Sequence, residues 1–294
     1  MLFSADMAVA SEVPSAFRSS AIRPGPIGLI RLGFGELLQR RRLIRYLVQA
    51  DLKRKGSDTL LGNVWWVIDP LLQMVVYLVL VTVIFQRDTP AYPLFLFAAI
   101  LPWKWFTTSI TSGIGSVVGM ERLIKQINFP KLVLPVASVM AGIVNFFFGL
   151  IPLAFLIFAF YSDRASPWLL LIPVVAFVQL LFTLPIAIVL GALNVFYRDI
   201  GNLSAHLLRL AFYISPGLYA IDLTYKAAEK YPVLAPFILA NPWNVLFTSY
   251  RNLIYEGKAP DWFGLGVVSL VSIGLLAIAI VIFKRLEPTF AKVL

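Results

Sequence analysis

Six apolar stretches dominate this sequence, at residues 64–86, 93–118, 132–161, 168–196, 203–220 and 263–283. Each is near or above the ~20 residues a helix needs to cross the hydrocarbon of a bilayer. Hydrophobic residues make up 60% of the 294 and charged residues only 14%, whereas a soluble domain is about half apolar and a quarter charged. The expected fold class is therefore all-α integral membrane, with six transmembrane helices.

An even number of crossings puts both termini on one side, and the positive-inside rule says which. Ten Lys and Arg precede residue 64; Arg122, Lys125, Lys131, Arg198, Lys284, Arg285 and Lys292 fall in alternate loops and at the C-terminus. The opposite side has Arg87, Arg164, Lys226, Lys230, Arg251 and Lys258. Both ends are expected to be cytoplasmic. Asp6 and Glu12 interrupt the start, where a signal peptide would need an uninterrupted apolar core. Residues 1–27 read as a disordered cytoplasmic tail, and 28–58 as an amphipathic helix whose arginines meet anionic lipid headgroups. The remainder, 59–294, is the transmembrane domain. Within it, 232–256 contains two apolar pieces too short to span, broken by Pro232, Pro236 and Pro242. That pattern predicts a re-entrant extracellular hairpin between the fifth and sixth spans.

Several chemistries are argued against by the residues. His206 is the only histidine and there is no cysteine, which excludes a multi-histidine or thiolate metal site. There is no G-x-x-x-x-G-K-[ST] loop to cradle a nucleotide. Acidic residues stand singly, without the paired carboxylates of Mg²⁺-dependent lipid-phosphate chemistry, and no basic, aromatic-lined soluble face suits nucleic acid. The polar residues instead form stripes on spans: Asp69, Gln73 and Tyr77 on the first; Lys104, Thr108, Thr111 and Gly115 on the second; Arg209, Phe212, Pro216 and Tyr219 on the fifth. Ionisable groups in spans cost roughly 2.5–3.5 kcal/mol each at mid-helix, so they face a cavity or a partner. A bland reading is that Lys104 snorkels outward and Arg209 starts its span late. Asp69 precedes Pro70, and its expected role is to cap a helix restarting after the proline or to pair with Arg198 or Arg209.

Six phrases in order, DLKRKGSDTLLGNVWWVIDPLLQMVVY, YPLFLFAAILPWKWF, ERLIKQINFPKLVLPVASV, NVFYRDIGNL, LLRLAFYISPGLY and NPWNVLFTSYRNLIY, carry a resemblance. From about residue 40 to the C-terminus the chain resembles the permease subunits of ABC-2 type polysaccharide exporters, which move lipid-linked O-antigen, wall teichoic acid and capsule-like glycans. After DLK it reads RKGSDTLLG where that family often has RYRxSxLG. The resemblance implies a non-catalytic subunit of the bacterial inner membrane, working as a homodimer with two copies of a separate ATPase that binds ATP and Mg. The substrate would be a polyprenyl-pyrophosphate-linked glycan. It implies a conduit lined by Gln73, Tyr77, Phe85, Phe212, Tyr213 and Tyr219, and a cytoplasmic gate at Asp69, Arg198, Asp199 and Arg209. Glu121, Arg122, Lys125 and Phe129 would couple to the ATPase, with Phe129 as the apolar anchor.

Two other readings compete. An ABC-2 exporter of a drug or small lipid would share the fold but lack the LLGNVWWVIDP and FYRDIGNL phrases. A membrane-embedded transferase of lipid-linked sugars would need an acidic metal motif.

Overall fold

Chain surrounded by hydrocarbon has to satisfy its main-chain groups within itself, and among the described residues every regular element is helical. The computed structural model describes residues 24–56, 61–84, 86 and 90–294. The expected tail therefore lies almost wholly outside the described residues. Two helices, α1 (Pro26–Gln39) and α2 (Arg41–Gly56), come first. Then follow α3 (Trp65–Leu78), extended by a π-helical turn at Val79–Ile84, α4 (Tyr92–Ser116) and the short α5 (Glu121–Gln126). The long α6 (Val133–Phe160) and α7 (Ile172–Phe196) precede α8 (Ile200–Ile214). Three short helices, α9 (Ile221–Lys230), α10 (Ala235–Leu239) and α11 (Pro242–Arg251), lead to α12 (Trp262–Val293).

The expected single helix over 28–58 is two helices, broken at Arg40. The break lets the halves pack on different surfaces: α1 on α12 and α2 on α6. Gly33 makes the first contact possible, because a Cβ there would meet Ile280 Cγ2 at 2.5 Å. Nor does a helix restart after Pro70. It lies inside α3, in which Asp69 is no cap. Proline lacks only its own N–H, and here the missing bond is to the carbonyl of Trp66, in the first turn.

At the centre stands α4, packed against α3, α6, α7, α8 and α11. It is the least apolar of the candidate spans and the most buried, so protein and not lipid covers it: Leu94, Leu96, Phe97, Ala98 and Ala99 are wholly buried. Its approach to α7 depends on two glycines: a Cβ on Gly191 would meet the Gly113 carbonyl oxygen at 2.7 Å. Single polar side chains fasten the pair, with Asn194 Nδ2 donating to the Ile114 carbonyl at 3.0 Å and Gln179 Nε2 to that of Pro102 at 2.8 Å.

Among the described residues, five helical stretches are long and apolar enough to cross a membrane: Trp65–Ile84, Tyr92–Ser116, Val133–Phe160, Pro167–Phe196 and Trp262–Val293. The expected fifth of six is not among them. Its helix, α8, has 15 residues and is about 22 Å long at 1.5 Å per residue, because Ser215 turns extended ahead of Pro216. Even so, this part of the chain runs antiparallel along all of α4. Gly201 lies beside Ile114, Phe212 packs as a tilted ring on Trp103 at a centroid distance of 5.1 Å, and the Leu218 carbonyl takes the Tyr92 hydroxyl at 3.0 Å.

The α10–α11 hairpin turns at Asn241, whose side chain caps α11 by accepting from the Trp243 N–H at 3.0 Å. Trp243 packs on Trp103, Phe106 and Phe182, halfway along α4 and α7. Tyr255, beyond the other end of α11, reaches Phe95 and the Pro90 carbonyl at the start of α4. Between them Trp243, Leu246, Phe247 and Tyr250 are buried against α4, α7 and α12.

Candidate functional site

The polar stripes of α3 and α8 meet across α4. Gln73 and Tyr77 from α3, Trp103, Thr107 and Thr111 from α4, and Arg209, Phe212 and Tyr213 from α8 line a cavity of about 310 Å³. Helical spacing explains the grouping, since residues four apart share a face. Tyr77 and Phe212 meet as tilted rings at a centroid distance of 5.8 Å, as do Phe212 and Tyr213. The cavity therefore combines aromatic faces, hydroxyls, an amide and a guanidinium. Arg209 is its one charged lining residue among those described.

Of the six conduit candidates, Gln73, Tyr77, Phe212 and Tyr213 share this cavity. Tyr219 does not: its hydroxyl turns back to the Ile214 carbonyl at 2.7 Å, closing the chain beyond α8. Phe85 lies outside the described residues.

The gate candidates do not form one cluster. Asp69 pairs with Lys104, not with Arg198 or Arg209. Lys104 does not snorkel outward, as the bland reading of its stripe had it: it stands in the middle of α4, directly across from the first turns of α3, facing a cavity and a partner. Their second cavity, about 220 Å³ between α3, α4 and α6, is also lined by Trp66, Trp105, Thr108 and Asn145. Trp105 Nε1 and Asn145 Oδ1 are buried there without a protein partner among the described residues, the polarity that a water-holding pocket requires. Arg209 lines the larger cavity instead. Arg198 is close enough to Glu121 for its charge to act on that carboxyl, which places it beside the α5 segment. Asp199 precedes α8 without capping it by its side chain.

At α5, the candidate coupling segment, Lys125 Nζ donates to Glu121 Oε1 and to the Leu294 carbonyl oxygen, both at 2.7 Å. The Lys125 hydrogen bond holds the Glu121 carboxyl below the usual carboxylate range, and the Arg198 and Arg122 charges act in the same direction. Arg122 is exposed. Phe129, however, is half-buried and packs on the chain's own inner apolar cluster, while Ile127 is the apolar side chain left outside, 54% exposed.

Three features escaped the sequence argument. Gln179 links α4 to α11, accepting the Tyr250 hydroxyl at 2.9 Å; a lone amide in an apolar span was the available signal. Lys284, counted as a loop charge, is buried in ion pairs with Glu36 of α1 and, at 2.7 Å, with Glu287. Glu287 Oε1 also accepts the Lys131 N–H at 2.6 Å, tying the coupling segment to both ends of the chain. Arg251, counted as extracellular, is 6% exposed inside the fold; nothing in its local sequence marks it.

No family profile matches the chain. It is 35% identical over 257 residues to the O-antigen export system permease protein RfbA of Myxococcus xanthus, covering 87% of this chain and 97% of that protein. The protein of the same name from Klebsiella pneumoniae is 28% identical over 252 residues, covering 86% and 95%.

Proposed function

Given that the chain belongs to the family of O-antigen export permeases, we propose that it moves a polyprenyl-pyrophosphate-linked glycan outward, driven by a separate ATPase. It is the transmembrane subunit of an exporter for lipid-linked polysaccharide, in a multi-pass inner membrane setting. The observation that carries this is the likeness to the Myxococcus xanthus permease along nearly the whole length of both chains.

The finer reading has two copies of this chain enclosing the conduit and two ATPase subunits, which hold ATP and Mg, docking on the cytoplasmic side. The apolar residues that α8 leaves uncovered, Leu203, Leu207 and Leu210 among them, support a second copy across from it. In the cavity, Tyr77, Phe212 and Tyr213 offer ring faces to sugars, and Gln73 and Thr107 offer hydrogen bonds. Arg209 supplies a positive charge suited to a pyrophosphate. A sliding polymer needs contacts that are many and individually weak, and stacking faces meet that need.

Six crossings with both termini cytoplasmic are part of the same proposal. The passage of residues 201–218 along the full length of α4 supports a fifth crossing. The depth of Trp243 against Phe106 and Phe182 supports a hairpin entering from outside. Ile127 is the apolar contact proposed for the ATPase, with Glu121, Arg122 and Lys125 around it.

The test is replacement. The chain and its ATPase are expressed in cells deleted for their own O-antigen export permease and ATPase, with a matched glycan pathway. Surface glycan should return. Glycan retained on the cytoplasmic side, despite both proteins being present in the membrane fraction, would refute the function.

A further inference from the structure

Beyond Ile214 the chain leaves the helix while still alongside α4, so its carbonyls lose their intrahelical donors. At membrane depth irregular backbone persists only where the protein itself supplies partners. Here four successive carbonyls are taken by side chains from elsewhere in the sequence. Arg251 Nη1 donates to Pro216 O at 2.5 Å and to Tyr219 O at 3.0 Å, and its Nη2 donates to Gly217 O at 2.7 Å. Tyr92 donates its hydroxyl to Leu218 O at 3.0 Å. Below them Asn241, at the tip of the hairpin, donates to Ser215 Oγ at 2.8 Å.

Arg251 is an unusual donor for such a task. Among the described residues its acceptors are all main-chain carbonyls, and its Nε has none. Its guanidinium lies 3.6 Å from the Phe95 ring centroid, a cation–π contact in place of a carboxylate. A rigid planar fork of five donors fixes three carbonyls in one arrangement, where an ammonium has fewer donors on a flexible stem and fixes no such geometry. The bonds are charge-assisted, yet each carbonyl is held by a distant side chain and not by a helical neighbour. The three that Arg251 holds can therefore be released together by one movement of α11, leaving Tyr92 of α4 as the remaining hold.

We propose that Arg251 latches the unwound segment Ser215–Tyr219, and that this segment parts from the α10–α11 hairpin as the outer gate of the conduit. The proposal rests on the export reading above and deepens it. Gly217 is suited to the closed position, because a Cβ there would meet the Phe212 ring at 2.6 Å and the segment would stand off. Phe212 itself lines the cavity, so movement of the latch would be felt directly at the conduit wall. Arg251 acts here as a positioning residue.

The chain has no cysteine, so reporters need no prior background removal. In resting cells bearing Leu218→Cys, an impermeant thiol reagent added outside reads the closed state. Arg251→Lys keeps the charge but loses the fork, and should raise the labelling rate about tenfold, or about 1.4 kcal/mol of closed-state stability. An unchanged rate would overturn the latch. If Arg251→Lys does not accumulate, Tyr92→Phe is read with the same reporter and should raise the rate by a smaller factor; no rise would overturn the latch equally. In the second arm, Ser215→Cys with Asn241→Cys are oxidised to a disulfide across a contact that is already short. Export should fall at least tenfold and return on reduction, whereas undiminished export with the bond formed would overturn the parting of segment and hairpin. Labelling needs no transport, and the unsubstituted chain must export before the second arm is read. Failure of the function and failure of the latch are thus distinguishable.

Discussion

Replacing Gln179 by leucine tests whether the hairpin is seated against the middle of the bundle. Gln179 and Tyr250 are both wholly inaccessible, and the amide spans them with bonds of 2.8 Å to Pro102 O and 2.9 Å from the Tyr250 hydroxyl. Gln179→Leu strands the tyrosine hydroxyl in a wholly buried site, on a ring that itself packs edge-on to Phe146 at a centroid distance of 6.2 Å. Tyr250→Phe strands the amide oxygen. An orphaned buried group costs about 1–3 kcal/mol, whereas exchanging both partners for apolar groups is close to neutral. Side-chain bonds between membrane helices couple by about 0.6 kcal/mol on average and at most about 1.7. Full burial puts this pair at the upper end, so each single variant should lose about 1.5 kcal/mol. The double variant should then lose less than the sum of the two. The assay is equilibrium unfolding in mixed micelles followed by circular dichroism, as a double-mutant cycle. Additive losses would show that the two residues do not share a bond. The seating of α11 at that depth would then lose its polar support.

Asp69→Asn and Lys104→Gln should couple in an export-rate cycle by about 1 kcal/mol or less, because a half-exposed pair is screened, while Asp69→Asn with Arg209→Gln should be additive. Coupling in the second pair and none in the first would restore the gate expected from sequence. Ile127→Asp should reduce co-purification of the ATPase, whereas Phe129→Ala should loosen the inner apolar cluster and lower thermal stability. Loss of the ATPase with Phe129→Ala alone would reverse that assignment. Cysteines at Lys226 and Lys258 should react with an impermeant reagent outside, and one at Phe247 should be protected. Labelling of a cysteine at Asn241 from the cytoplasm would mean that the hairpin crosses.

Apolar length and i, i+4 spacing made the bundle legible, and the same spacing brought Gln73, Tyr77, Phe212 and Tyr213 together. Both are local properties of one helix. What failed was pairing between helices. Nothing along the chain says that Lys104 stands opposite Asp69, since that depends on the stagger of α3 against α4, set by packing. Phe129 was assigned outward because aromatic residues in a loop suggest an anchor, yet the apolar ends of α6 and α12 supply a cluster that covers it. Ile127, two residues earlier, is left outside by the same turn of the chain.

Two charges show what counting by loop leaves out. Arg251 and Lys284 were tallied on opposite sides of the membrane, and both are buried in the fold. Removing one from each side leaves the expected difference between the two sides unchanged, because each side loses one cation from the tally. Each buried cation has instead been recruited to hold backbone or helices that the apolar pattern cannot hold. Lys284, with Glu287, ties α1 and the coupling segment to α12. Arg251 supplies donors to a stretch that has left its helix. A desolvated cation costs several kcal/mol unless it is paired or hydrogen-bonded. Such residues therefore belong where the chain departs from simple spans, at the junction of α1 with α12 and at the unwound end of α8.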